Sequence, residues 1–409
     1  MKRMKFLCIG ILSCCMLSGC SSEEPESLKV TGNKKGLDDN FVTLSEALEN
    51  AEGLLKKIEG VGSRSARNVR SVELYQSKTR SDNDDVFGFY VVNFESGFAL
   101  LSADKRRVPV YAISDEGSLS LSDTLSNPGL AWYFTNVVNQ DLPYGGGASG
   151  TDPVPLNPFD KTNGECTIDT ISLAQPLLKG FLGRMSQHFP NNRFTPVMNN
   201  ENTPVGCLNL AIGTIFGYYE WPASYNSYSF NWKDMKMDLY DERWARMFRE
   251  IGSSSNLNTS YSPSGSGSYR SNIPRTMKNW KYTTGIYSKL DRKIVREELT
   301  LEHPVIFMGY TTVDGETEGH AWLTDGGYSI HQYGWTKDAI SGDKVYFEYT
   351  DDYLHMVWGW GTMSNGYYLL PWNREQIGAS ASQLDPYASI NCPYEFNNLN
   401  IGYGYRPQK

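Results

Sequence analysis

From residue 44 to residue 58 apolar side chains recur three and four positions apart, at Leu44, Ala47, Leu48, Ala51, Leu55 and Ile58. That spacing predicts an amphipathic helix. Thr43-Leu44-Ser45-Glu46 has the form of a capping box, in which Thr43 caps the helix while Glu46 reaches back to it. The period then changes. Residues 61–71 are rich in Gly, Ser and Arg and read as a loop. Residues 86–94 and 98–102 read as strands joined by Glu95-Ser96-Gly97, a hairpin signal, and residues 108–113 as a third strand. A helix followed by a small antiparallel sheet makes one α+β unit, ending near Gln140.

Tyr144-Gly145-Gly146-Gly147-Ala148-Ser149-Gly150, then proline-punctuated chain to Asn163, reads as an exposed linker of the kind proteases cut. Beyond it, apolar positions from Leu208 to Tyr219 follow helical spacing, and Asp241 to Ile251 reads as a helix with Trp244, Met247, Phe248 and Ile251 on one face and Gly252 as its stop. Residues 252–269 form a Ser/Gly-rich loop. After Pro304 the pattern turns to strands at 305–310, 320–325, 344–349 and 355–360. Helices first and antiparallel strands later make a second α+β unit.

The length of 409 residues exceeds what one core usually holds, in agreement with two units. The net charge of −8, with Lys105-Arg106-Arg107 the only tight basic run beyond the N-terminus, argues against a nucleic-acid partner. Lys2, Arg3 and Lys5 precede a short apolar run from Phe6 to Met16, which has the form of an export signal. It ends in Leu17-Ser18-Gly19-Cys20, which resembles a bacterial lipobox, so the expectation is lipidation of Cys20, attachment to a membrane, and a polar tether over residues 21–40. Cys8, Cys14 and Cys15 would leave with the signal. Cys166, Cys207 and Cys392 remain, which fits one disulfide plus one reactive thiol, or three free thiols. No Cys or His spacing suits zinc, and no cofactor is expected.

Cys207 carries the candidate chemistry. Pro204 and Gly206 precede it and helical periodicity follows, so it falls in a first turn, where free N–H groups and the helix dipole favour thiolate. A thiolate attacks carbonyl carbon, and Gly206 leaves room for the approach. Such a nucleophile needs a base. Of five histidines, His303 and His331 read as turn residues, His188 precedes Phe189-Pro190, and His355 starts a strand. His320 follows Gly319 in a strand that would hold its ring on one face.

Several segments together carry a resemblance. Pro204-Val205-Gly206-Cys207 with the helix ending Tyr218-Tyr219-Glu220-Trp221-Pro222 is similar to the nucleophile helix of the streptopain family of cysteine peptidases. Gly319-His320-Ala321-Trp322-Leu323-Thr324-Asp325-Gly326 resembles their histidine strand. His355-Met356-Val357-Trp358-Gly359-Trp360-Gly361, followed by Ser364-Asn365-Gly366-Tyr367-Tyr368, resembles their Trp-rich strand and turn. Met185-Ser186-Gln187 stands where the family has a glutamine, and the strands around 98–104 resemble its propeptide. The resemblance implies a papain-like catalytic domain over 166–409 and an inhibitory propeptide over 41–142. The linker over 143–165 is then the expected place of the maturation site, and the export signal read above spans 1–20. The resemblance further implies Cys207 as nucleophile, His320 as base, Gln187 in the oxyanion hole and Trp358 supporting the histidine, acting on protein or peptide substrates. Val357 departs from the Asn usual before that Trp. The departure motivates a second reading, a weak or inactive surface-binding lipoprotein on the same fold. An amidase or acyltransferase using the same dyad is a third.

Overall fold

The computed structural model describes residues 41–59, 68–77, 87–105, 107–120, 127–138, 164–313, 316–337, 343–370 and 398–409. The export signal, Cys20, the tether, Cys392 and the linker up to Asn163 lie outside the described residues.

The first helix, α1 (Leu44–Glu59), starts as its sequence predicts: the Thr43 N–H donates to Oε2 of Glu46 at 2.8 Å, and the Glu46 N–H donates to Oγ1 of Thr43 at 3.3 Å. Its apolar stripe, with Ala47, Ala51, Leu54 and Ile58 buried, packs on an antiparallel meander. The strands are β1 (Val69–Ser77), β2 (Phe87–Phe94), β3 (Phe98–Ser102) and β4 (Val110–Ser114). Gly97 turns the β2–β3 hairpin at φ 87°, and a β-carbon there would stand 2.1 Å from the Ser114 carbonyl oxygen, so only glycine fits. β1 begins inside the stretch expected to be loop. It is an edge strand with Arg70, Ser71 and Glu73 exposed, so its apolar pattern is weak. A short helix, α2 (Pro128–Tyr133), follows, capped by Asn127, whose Oδ1 accepts the Leu130 N–H at 3.2 Å.

Beyond the linker come β5 (Gly164–Ala174), α3 (Cys207–Tyr219), α4 (Glu242–Ile251), α5 (Ile273–Asn279), β6 (Ile286–Lys289) and α6 (Arg292–Thr300). The strands β7 (Val305–Val313), β8 (Glu316–Lys337), β9 (Lys344–Val357), β10 (Gly366–Leu370) and β11 (Asn398–Tyr403) complete the chain. The sheet runs β1-β2-β3-β4-β10-β9-β8-β7-β11-β6, with β5 along the later half of β8. Its two halves meet where β4 pairs with β10, Ile113 opposite Tyr367 and Ala112 opposite Tyr368. Within residues 38–409 the described segments form one compact unit.

The later strands are longer than the sequence pattern implies. His331 lies within β8 rather than in a turn, and His355 lies inside β9 rather than at its start. Asp351-Asp352 interrupts the apolar pattern of β9, but Asp352 is satisfied internally: Arg292 lies 3.1 Å away and the Ser329 hydroxyl donates to it. The strand ends at Val357. Trp358-Gly359-Trp360-Gly361 is a turn, with Gly359 at φ 88° and Gly361 at φ 70°.

Alternation along β7 and β8 separates two cores. Ile306, Met308, Ala321 and Leu323 face α3, α4 and α5, where Phe216, Trp244 and Trp280 are fully buried. Phe307 and Trp322 face the other way, into the core shared with α1, α2 and β2–β4. The site lies where α3 meets β8.

Candidate active site

Cys207 is the first residue of α3, and Gly206 is the N-cap at φ 100°. A β-carbon at Gly206 would stand 3.0 Å from the Ser266 carbonyl oxygen, so the Ser/Gly-rich loop closes directly over the turn before the cysteine. Cys207 is half-buried, and the backbone N–H groups of Ala321, Leu208 and Cys207 itself act on its sulfur. Ala321 is the residue after His320, so the helix tip meets the histidine strand. Burial is the largest influence on the thiol and raises its pKa above the ordinary value, outweighing the N–H groups that lower it. The thiolate expected from the helix tip is therefore disfavoured in this closed arrangement.

His320 is buried at 5% exposure. Its Nε2 lies 3.3 Å from the carbonyl oxygen of Trp358. A carbonyl only accepts, so Nε2 carries the hydrogen and the lone pair of the neutral ring sits on Nδ1. The ring packs 4.8 Å from Trp360 and 6.0 Å from Trp322, centroid to centroid. Burial lowers its pKa to about 4, with the Trp358 carbonyl acting in the opposite direction.

Trp358 is itself held on two sides. Its indole N–H donates to the Ser364 carbonyl at 2.9 Å, and its backbone N–H donates to Oδ1 of Asn365 at 3.1 Å. Asn365 in turn donates from Nδ2 to the carbonyls of Gly183 and Gly361, each at 2.9 Å. Gln187 is buried, and its carbonyl accepts the Val205 N–H at 2.8 Å, two residues before Cys207. Ser186 bridges to Trp360. The segment 185–187 thus runs between the approach to Cys207 and the Trp-rich turn.

The four sequence-selected residues, Cys207, His320, Gln187 and Trp358, are therefore gathered around one junction. Three of the other histidines are engaged elsewhere, and the fourth lies on the surface. His355 Nδ1 lies 2.6 Å from Asp325, His331 pairs with Glu348 at 3.1 Å, His303 contacts Arg406, and His188 is exposed. Among the described residues no group of three or more His, Cys, Asp or Glu side chains is arranged to hold a metal ion.

Two contributors escaped the sequence reading. Asn365 appeared only as part of a turn. Gly129, in α2, stands against the site: a β-carbon there would lie 2.7 Å from Cε3 of Trp358 and 3.1 Å from Cδ2 of His320. Trp132 of the same helix packs on Trp322 with ring centroids 5.7 Å apart. Pro128-Gly129 signals a turn, and six residues are too few for a periodic pattern.

A half-buried cysteine at a helix tip, a buried histidine on the adjoining strand and an N-terminal unit lying against that histidine fit one class, a cysteine protease in its covered, precursor form. Sequence comparison gives the family. The Peptidase C10 family profile matches residues 185–368, and that of the Spi protease inhibitor matches residues 39–140. The chain is a Peptidase C10 cysteine protease, a streptopain-like zymogen carrying a Spi-type propeptide domain. It is similar to streptopain of Streptococcus pyogenes, 22% identical over 408 residues, covering 83% of this chain and 88% of streptopain. It is also similar to the thiol protease/hemagglutinin PrtT of Porphyromonas gingivalis, 22% identical over 385 residues, covering 83% of this chain and 40% of that protein. Among solved structures, a prointerpain A fragment from Prevotella intermedia aligns at 16% identity and TM-score 0.45, over 81% of this chain and 98% of the fragment.

Proposed function

We propose that this zymogen matures into an endopeptidase in which Cys207 attacks and His320 serves as base. The observation that carries the reading is the contact of the α3 tip with the strand residue next to His320, through the Ala321 N–H acting on the Cys207 sulfur. His320 Nδ1 takes the thiol proton, and the thiolate adds to the peptide carbonyl carbon. The oxyanion accepts hydrogen bonds from the Cys207 N–H and the Gln187 side-chain amide. Such a donor is typically worth ~10²–10³ in turnover. The imidazolium then protonates the leaving amine, and water hydrolyses the resulting thioester.

Trp358 supports the histidine through its carbonyl, which fixes the tautomer that places the lone pair on Nδ1. This backbone acceptor takes the place an Asn at position 357 would fill, which supports the active reading over the inactive one. In the precursor, α2 lies on His320, and latency follows from that cover. Cleavage within residues 143–165 would release it. Upstream, the lipobox-like segment supports export and lipidation at Cys20, and hence a lipid-anchored surface protein.

Time-resolved mass spectrometry of the purified full chain tests the scheme. Cys207→Ala should abolish both self-cleavage and digestion of casein. If the variant digests casein as the parent does, the nucleophile is another residue. Metabolic labelling with a fatty-acid analogue should mark the parent and not Cys20→Ala.

A further inference from the structure

Arg270 is exposed and lies at the end of the Ser/Gly-rich loop whose Ser266 carbonyl closes over Gly206. Its guanidinium lies over the Tyr287 ring, 4.3 Å from the centroid, and over the Tyr310 ring, 5.2 Å from the centroid. Nη1 donates to the Tyr287 hydroxyl, and the guanidinium also hydrogen-bonds the Tyr310 hydroxyl. Among the described residues the side-chain partners of this cation are thus two phenols and not a carboxylate. That is unlike Arg243, Arg292 and Arg406, each of which pairs with an acid.

The location of the cluster gives it meaning. Tyr310 stands opposite Gly319 in the β7–β8 ladder, directly before His320. It follows Met308 on the sheet face that looks towards α3 and Cys207. The side chain of buried Asn400 on β11 also acts on the Tyr310 hydroxyl. Arg270, from the loop beside the nucleophile turn, and Tyr310, from the strand paired with the histidine strand, therefore meet at one point on the Cys207 side of the sheet. A peptide bound along that side passes the guanidinium.

Guanidinium offers five N–H donors in a planar fork that matches a carboxylate. The aromatic rings beneath it limit its orientations, so less freedom is lost when an acid binds. We infer that Arg270, with the hydroxyls of Tyr287 and Tyr310, forms a subsite for a carboxylate side chain of the substrate, an Asp or Glu close to the scissile bond. The inference rests on the reading of Cys207 and His320 as the catalytic dyad.

The test uses enzyme matured from the full chain and fluorogenic peptides that differ only by Glu, Gln or Leu at each position near the cleaved bond. At one position Glu should exceed Gln in kcat/KM by on the order of tenfold, the scale of a charge-assisted hydrogen bond in a partly open site. Added salt should shrink that ratio. Arg270→Gln should erase it, bringing the Glu and Gln peptides to equal kcat/KM. Tyr310→Phe should narrow it. Equal rates for Glu and Gln at every position, or a Glu preference that persists in Arg270→Gln, would overturn the subsite while leaving the dyad intact. No turnover of any peptide, with Cys207 also unreactive to iodoacetamide, would overturn the dyad and the subsite with it.

Discussion

Gly129 and His320 are packed so closely that a β-carbon on residue 129 would lie 3.1 Å from Cδ2 of the imidazole. The same atom would lie 2.7 Å from Cε3 of Trp358, whose indole is pinned by the Ser364 carbonyl. The propeptide thus reaches the site through its least bulky residue, and neither ring has room to yield without disturbing the Trp358–His320 contact.

Gly129→Val should therefore weaken the cover. Gly129 has no positive φ, so the backbone tolerates a side chain, and the cost arises in the contact. Overpacking of this kind typically costs about 1–3 kcal/mol. Self-processing of the full chain, followed by gel or mass spectrometry, should accelerate by roughly tenfold, since about 1.4 kcal/mol is a factor of ten. An unchanged processing rate in a folded variant would mean that α2 does not hold the latent state.

Acid should loosen the same contact. The covered imidazole ionises near 4, whereas an exposed one ionises near 6.5. Between those values the uncovered chain binds more protons, so the covered form loses stability as pH falls from about 6.5 towards about 4, and levels off below. The whole window corresponds to on the order of 3 kcal/mol. Thermal unfolding of Cys207→Ala, which stays unprocessed, should show Tm falling across this range. His320→Gln in the same background should flatten the fall.

Legibility in the sequence followed locality. The Thr43–Glu46 box, the Gly97 hairpin, the helix after Gly206 and α4, where Asp241 caps the helix by accepting the Arg243 N–H at 2.9 Å, each rest on contacts within a few residues, and the pattern shows them directly. β5 was missed because Asp169, Ile171 and Ser172 are exposed alike, so no alternation marks it; its place comes from pairing with β8, more than 150 residues away. Cys207 and His320 were legible as motif positions. Position 358 was legible as the place of a histidine support; that the contact is made by its backbone carbonyl was not, since any residue there would carry one. Asn365 was hidden for a related reason: its three partners, the Trp358 N–H and the carbonyls of Gly183 and Gly361, are all main-chain groups.

Asn365 should prove a positioning residue. It is buried, and Asn365→Ala leaves two carbonyls and one N–H without their partner, a loss of about 1–3 kcal/mol for each stranded group at most. Activity should fall by roughly tenfold to hundredfold, the range seen when an outer supporting group is removed. The loss should appear in kcat rather than KM, with a shifted acid limb of the pH profile as His320 loses its fixed acceptor. A change in Tm alone, with kcat and the profile intact, would assign Asn365 to stability only.

Val357→Asn should not improve the enzyme. Val357 is 4% exposed, with its side chain in the core around α3, while the Trp358 carbonyl already lies 3.3 Å from Nε2 of His320. A buried amide without partners costs about 1–3 kcal/mol. Tm should drop and kcat/KM should stay level or decline. A rise in kcat would show that the carbonyl is an inadequate orienter.

A final prediction concerns Asp351, remote from the chemistry. Burial, followed by repulsion from Asp352, raises its pKa to about 7, with Arg292 acting the other way. The folded chain thus keeps a proton here that an unfolded carboxyl releases near 3.8, so this residue costs stability as pH rises through that interval and most above about 7. Asn cannot ionise. Asp351→Asn should therefore match or trail the parent near pH 4 and overtake it by a few kcal/mol at pH 8, on the scale of about 1.4 kcal/mol per pKa unit. The measurement is Tm against pH for both proteins in the Cys207→Ala background. Parallel curves would mean that Asp351 is ionised in the fold at neutral pH, its charge matched by Arg292.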